Sequence, residues 1–415
     1  MRGLFQRFGA ALVYVDFRNL WMANALAQAA AWAMIVTRGW IIYRDAESSF
    51  LVGVATFAAL GPMLVVPPII GVLADRLDRR TMLMTAYAVE LTQSSALLLL
   101  ASFGLLEVWM VVLAALMSGV ARATALPTSQ ATAATLVPPD RLLNALSLNA
   151  STQHGSKLFG PALVTPLLAL FGAPAAFGVA VALYALALYR MSRLSPQRVA
   201  QLGERQSFVA NFVSGLSYVY SRRVMRLMLI VLIFHCGFTM AFESLLPSFS
   251  AERLNAADEG FGSLMMGVGA GAFVASIFVS GLHTERARGD ALIIAGIMSG
   301  LGQVLLALTT SLVFAMGAAV IMGGAQAAFM TMGQAVTQSL AVDEYRGRVA
   351  SINSFSLGGM MATMNLFNGT LAEQYGAQSL LLIHGLIFVA VIAITFIPAT
   401  GRQVYGREPV AQVAA

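Results

Sequence analysis

The sequence predicts an all-α, polytopic membrane protein with about twelve transmembrane helices in two pseudo-symmetric six-helix halves. Three observations carry that expectation. Of 415 residues, 58% are hydrophobic and 11% charged, far from the balance of a soluble domain. Apolar runs of about 20 residues, enough to cross a core of roughly 30 Å, recur between short polar or Gly/Pro-bearing breaks. Motifs of the first half return in the second: GVLADR at Gly71 to Arg76 is echoed by GLHTER at Gly281 to Arg286. LVPPD at Leu136 to Asp140, running on to Asn149, is echoed by LAVDE at Leu340 to Glu344, running on to Asn353.

The spans follow in order. Met1 to Arg18 is charged and lacks a signal peptide's apolar core and cleavage site, so the first span, Asn19 to Ile42, serves as the insertion signal. Phe50 to Leu73, Met82 to Gly104 and Val108 to Gln130 follow, the last two joined by so short a break that only a tight hairpin fits. Asn144 to Phe171 and Ala173 to Met191 complete the first half, residues 1–191. A polar, Arg-rich cytoplasmic linker, 192–226, leads to the second half, 227–398, and a cytoplasmic tail, 399–415. Its spans are Met225 to Ser250, Phe261 to Leu282, Asp290 to Thr309, Leu312 to Gln338, Arg348 to Glu373 and Ser379 to Pro398.

Arginine placement sets the orientation. With both termini inside, outer loops carry only Arg44 and Arg253, and every other loop arginine is cytoplasmic, as the positive-inside rule requires of a plasma (inner) membrane protein. The same bias accounts for the net charge of +6 and removes the case for a nucleic-acid partner. The single Cys236 lies inside a span and has no intramolecular disulfide partner. No catalytic constellation, metal-ligand cluster, ATP-binding loop or other cofactor motif is present, so neither an enzyme nor a primary pump is expected. Gly267 to Gly271 (GVGAG) sits inside an apolar span without a preceding strand or a Walker lysine, and reads as close helix packing.

The string GVLADRLDRR at Gly71 to Arg80 resembles the signature loop of the major facilitator superfamily, G-x-L-a-D-r-x-G-r-r. Gly71, Leu73, Ala74, Asp75, Arg76, Arg79 and Arg80 match, and Asp78 stands where most members carry glycine. With FRNLW at Phe17, GPAL at Gly160 and DEYRGRV at Asp343, the chain is similar to the branch that includes macrolide efflux pumps and the enterobactin exporter. The resemblance implies a secondary transporter working by alternating access, with the lipid bilayer, protons and a small-molecule substrate as partners, and a monomer is expected. Parallel repeats hold their substrate near the midplane between the halves. The resemblance also implies that Asp75 sits at the N-terminus of the eleventh helix, where the dipole favours an anion. Arg76, Arg79 and Arg80 would face Asp343 and Glu344, in the segment with Arg346 and Arg348, as a latch that breaks when the protein opens inward. Retention of the arginines by the positive-inside rule is the plainer alternative.

Charges inside spans are the other functional marker, because a buried ionisable group is costly and faces a cavity or a partner. At 1.5 Å per residue, Glu90 and His154 lie roughly 15 Å from the inner edge, Lys157 roughly 20 Å and Arg122 roughly 10 Å, close enough to form one cluster. Arg38 and Glu243 come out roughly 25 Å or more above it, at equivalent places on the first and seventh helices. They either pair across the halves as an outer gate or snorkel separately to the headgroups. Glu90 and Glu243 are the acids able to change charge for proton coupling; Glu90 has the alternative of a static pair with Arg122 or Lys157. His154 and His235 titrate in the right range, against the alternative of packing.

Helical phase groups Asn24, Gln28 and Arg38 near Trp32 on the first helix, His154 with Lys157 on the fifth, and His235, Thr239 and Glu243 on the seventh. Gln326, Met330 and Gln334 stripe the tenth. Such a wall of amides, sulfur, aromatic and basic groups suits a bulky amphipathic solute, while helix-to-helix bonding by the amides is the alternative. The expected function is proton-coupled export of such a compound, an antibiotic or siderophore. The alternatives are uptake of an anionic metabolite and a non-transporting receptor on a transporter fold. Branch members often carry an acid before the tryptophan of the first helix; here Ala31 precedes Trp32.

Overall fold

The computed structural model describes residues 10–74, 77–196, 208–281 and 284–397, with Gly401 and Gln403. Asp75 and Arg76 of the signature loop, part of the linker and most of the tail lie outside the described residues. Among the described residues every regular element is helical.

The first span is α1 (Val15–Ala46). The second has two arms, α2 (Ser49–Leu60) and α3 (Pro62–Ala74), parted at Gly61 because Pro62 has no N–H for the helical ladder. Asp78, the departure from the signature pattern, caps α4 (Arg79–Ser102), its Oδ2 accepting from Thr81 N at 3.1 Å. After α5 (Val108–Thr135), the fifth and sixth spans form one run, α6 (Leu142–Ser192), which turns at Gly172 with φ 71°. Glycine reaches that region at little cost and Pro174 follows, so one residue does the work of a loop.

The linker contains a helix, α7 (Phe208–Ser221), lying against the later helices through Phe212 and Phe355, whose rings meet edge to face at 5.1 Å. The seventh span, expected as one helix, is broken. α8 (Arg223–His235) runs on as a π-turn, Cys236–Met240. Residues 241–245 are non-helical, and Leu246–Ser248 with a second π-turn, Phe249–Arg253, complete the crossing. Then come α9 (Gly260–Ser280), α10 (Glu285–Leu308), α11 (Leu312–Ser339), α12 (Arg346–Tyr375) and α13 (Ala377–Phe396).

Among the described residues 10 segments qualify by length and apolarity as membrane spans, against the expected twelve. Pro139–Ser192 counts once although it turns back at Gly172. α12, at 30 residues, is long enough but too polar to qualify, with Asn353, Asn365 and Asn368 buried along it.

The halves meet along α2 with α12 and along α6 with α9. Both seams are built from small residues, which let backbones approach. A Cβ on Gly53 would lie 2.8 Å from Asn365 O, and one on Gly269 2.6 Å from Lys157 O. At the end away from the arginine-rich loops, polar contacts bridge the halves. Tyr43 Oη donates to Glu252 Oε1 at 2.6 Å, while Glu373 Oε1 accepts from Ser48 Oγ at 2.5 Å and Phe50 N at 3.2 Å. Glu373 thereby caps α2 from across the seam.

At the basic end the named contacts stay within each half. Arg79 donates to Ala131 O at 3.3 Å and Arg80 to Ser192 O at 2.7 Å. Asp343 pairs with Arg346 at 2.9 Å and Glu344 with Arg348 at 3.8 Å. In this conformation Arg79 and Arg80 therefore do not pair with Asp343 and Glu344; the carboxylates are met by arginines one helical turn away. Gly71 lies within α3, but its surroundings are outside the description.

A charged cap on a helix N-terminus contributes about 0.3–1 kcal/mol at an exposed site. Glu373→Gln is therefore expected to shift the population about two- to fivefold away from this conformer, read by labelling of cysteines placed at the basic end. High salt is expected to reduce the shift.

Candidate functional site

Two cavities lie between the helices near the middle of the bundle. The larger, about 210 Å³, is walled by Asn24 and Gln28 of α1, Tyr87 and Glu90 of α4, Arg122 and Ser129 of α5, and Asn149 and Tyr184 of α6. The smaller, about 50 Å³, is walled by Arg38, Ser118, Arg122, Glu243 and Phe261. Ala31 and Arg122 line both and separate them.

Glu90 is held by a network within the first half. Its carboxylate accepts from Ser118 Oγ at 2.7 and 2.9 Å and from Gln93 Nε2 at 2.9 Å. Arg38 donates to the same Ser118 Oγ at 3.1 Å. Arg38 and Glu90 are both 5% exposed, so a serine bridges two buried opposite charges. The expected partners of Glu90, Arg122 or Lys157, give way to Arg38, and Arg38 does not gate with Glu243. The helices differ in length, 32 residues for α1 against 24 for α4, so depths taken from one inner edge do not align their side chains. Measured from the opposite end, Arg38, Ser118 and Glu90 stand about 12, 15 and 18 Å down, within reach of their side chains.

Glu243 instead finds Lys157, the chain's single lysine, as its foremost charged neighbour, with Arg122 second. Lys157 belongs to α6 in the first half and Glu243 to the broken seventh span, so the two opposite charges lie on either side of the seam, short of ion-pair contact. Lys157 Nζ also lies 4.7 Å from the Trp32 ring centroid and 5.7 Å from that of Phe242, cation–π distances. Arg122 approaches Trp32 at 5.7 Å, so two cations lie near that indole.

The break that carries Glu243 is built from buried amides. Freed carbonyls in a membrane interior need donors. Gln303 Nε2 donates to Phe238 O at 3.1 Å, Gln326 Nε2 to Thr239 O, and Asn368 Nδ2 to Ala241 O at 2.5 Å. Ser244 N donates to Asn365 Oδ1 at 3.1 Å. Three helices of the second half, α10, α11 and α12, thus hold the unwound backbone in place.

A family model described as a transmembrane secretion effector matches residues 10–403. The chain belongs to this family of the major facilitator superfamily. Macrolide efflux protein A of Streptococcus pyogenes is 22% identical over 386 residues, covering 91% of this chain and 94% of that protein. Macrolide efflux protein A of Enterococcus faecalis is 26% identical over 213 residues, covering 50% of this chain and 63% of that protein. Among solved structures, the nucleoside transporter NupG superposes with a TM-score of 0.72 at 13% identity, covering 91% of this chain and 97% of its own. A POT family transporter in complex with 5-aminolevulinic acid gives 0.72 at 12% identity, covering 92% and 96%. At such identity these two establish the fold alone. The protein is a multi-pass membrane transporter, and not an enzyme.

Other residues singled out in this chain from its sequence fall in three places. Asn24 is a strut: Nδ2 donates to Ser129 Oγ at 2.5 Å and Oδ1 accepts from Tyr87 Oη at 2.7 Å, tying α1 to α5 and α4. Thr239 and Gln326 support the break rather than a solute. His235 lies away from both cavities, fully buried between Phe329 at 4.7 Å and Phe388 at 5.0 Å, with Ser299 Oγ 3.2 Å from Nε2. That is the packing role, so His235 drops out of the coupling candidates. His154, half-buried near Lys157, lines neither cavity, nor do Met330 and the exposed Gln334. Sequence reasoning missed Ser118, Tyr87 and Tyr184, whose hydroxyls carry no periodic signal. It also passed over Gln303, Asn365 and Asn368, although two asparagines three residues apart within an expected span were a visible one.

Proposed function

We propose that this transporter exports a bulky amphipathic compound from the cytoplasm in exchange for protons, with both termini and the basic loops on the cytoplasmic face. The reading is supported by the placement of Lys157 and Glu243 on opposite sides of the seam, each the other's foremost charged neighbour though not in ion-pair contact. A proton arriving at Glu243 removes one charge of the pair, and the attraction between α6 and the broken helix lapses. Lys157 is then left without its counter-ion until the halves rearrange. Glu90, sealed inside one half by Ser118, Gln93 and Arg38, is a structural anchor in this account. Relatives named macrolide efflux proteins favour the export direction, and the basic loops favour the orientation.

Inverted membrane vesicles test it. Each macrolide or aromatic dye of a panel is added while a fluorescent dye reports the proton gradient. Export with proton exchange gives compound-dependent collapse of the gradient, lost in Glu243→Gln. Uphill compound accumulation in right-side-out vesicles instead would replace export with uptake.

A further inference from the structure

We infer that Arg122 and Trp32 form a recognition site for an acidic group, so that the compound carried is an amphipathic carboxylate or similar organic anion rather than a cationic drug. This inference deepens the transport reading and rests on it.

Arg38, Arg122, Glu90 and Glu243 line the cavities, and Lys157, which lines neither, adds a third cation beside Trp32, so cations exceed acids by one in this region. Arg38 is committed to Glu90 through Ser118. Lys157 is the first charged neighbour of Glu243. Arg122 lines the smaller cavity with Glu243, whose second charged neighbour it is, without ion-pair contact. Among the described residues no hydrogen bond or ion pair holds its guanidinium, and its Nε is buried without a partner. A guanidinium is always charged and presents a planar fork of donors that matches a carboxylate in two parallel bonds. Leaving such a group unsatisfied in a membrane interior is costly, which marks it as a place where a ligand completes the structure.

Position supports the same assignment. Arg122 lines both cavities and stands where they adjoin. Ala31, the other residue common to both, contributes no carboxylate to compete for it. Trp32, which lines neither cavity in this conformer, lies 5.7 Å from the guanidinium and puts a flat apolar ring beside the charge. A ring system stacked near Trp32 with its acidic group on Arg122 would satisfy both. A compound with an ammonium in the same place would meet Arg122 and Lys157 with its own sign of charge, while the Glu90 carboxylate is already held by Ser118 and Gln93.

The test uses the full chain in nanodiscs and three probes sharing one ring system: 1-pyrenebutyrate, its methyl ester, and the matching pyrenylbutyl trimethylammonium. Equilibrium binding is read by tryptophan-to-pyrene energy transfer, with empty nanodiscs subtracted. The carboxylate is expected to bind at least tenfold more tightly than the ester or the ammonium, the scale of one charge-assisted hydrogen bond. Arg122→Gln should remove that preference and Arg122→Lys keep part of it, with all variants monodisperse by size exclusion. Equal binding of the three probes, or a preference that survives Arg122→Gln, overturns the inference. Binding is read without a gradient, so a failure here leaves the export reading standing, and a failure of export in vesicles leaves this one standing.

Discussion

Removing the charge of Glu243 is expected to have the largest effect on both stability and coupling. Lys157 and Glu243 are charged neighbours across the seam without ion-pair contact, so deleting one charge is expected to cost less than the roughly 3–5 kcal/mol of a contacting buried pair. Glu243→Gln strands Lys157, and Lys157→Met strands Glu243. Each single variant should lower the detergent-solubilised melting temperature markedly. The double variant should recover most of that loss, since replacing a buried pair by neutral groups is often close to neutral in energy. The two effects then combine non-additively, by an interaction energy of about 0.5–3 kcal/mol. Simple additivity would show that the two side chains do not act as a pair. Transport should follow a different pattern: all three variants lose proton-driven movement, because the double variant restores packing without restoring a group that can take a proton.

The second large effect is expected at the amides that hold the break. Asn368 Nδ2 and Gln326 Nε2 each supply a carbonyl of the unwound segment with its donor. Leucine at either place leaves that carbonyl unsatisfied at a cost of about 1–3 kcal/mol. The predicted result is lower thermal stability and a Glu243 side chain no longer fixed opposite Lys157, so that coupling falls together with stability. Asn368→Asp, which keeps size but removes the donor, should behave like Asn368→Leu. Asn353, buried on the same helix but bonded to Thr337 rather than to the break, is the control: Asn353→Leu should cost stability with coupling retained. Equal coupling in the Asn353 and Asn368 variants would remove the break from the mechanism.

The sequence revealed the outline of the fold because a bilayer imposes it. Apolar length, arginine bias and the return of GVLADR as GLHTER are properties of the chain itself, and the turn at Gly172 falls between the fifth and sixth runs as expected. Side-chain partnership was legible only in part. Arg38 and Glu243 share equivalent places on the repeat, yet each pairs elsewhere, because Ser118 brings Arg38 to Glu90 and the seventh span does not continue as a helix past Met240. A hydropathy pattern cannot show that break: Cys236 to Ser250 is apolar enough to be helical, and the groups that unwind it are amides on three other helices. The signature loop is legible as sequence, while Asp75 and Arg76 lie outside the described residues.

The central claim is that proton coupling runs through Glu243 at the seam. It is tested most directly in proteoliposomes holding Glu243→Gln, comparing proton-driven uphill movement of a transported compound with its downhill exchange in the absence of a gradient. The account predicts that uphill movement disappears while exchange continues. Uphill movement at the wild-type rate would contradict it and return the coupling role to Glu90.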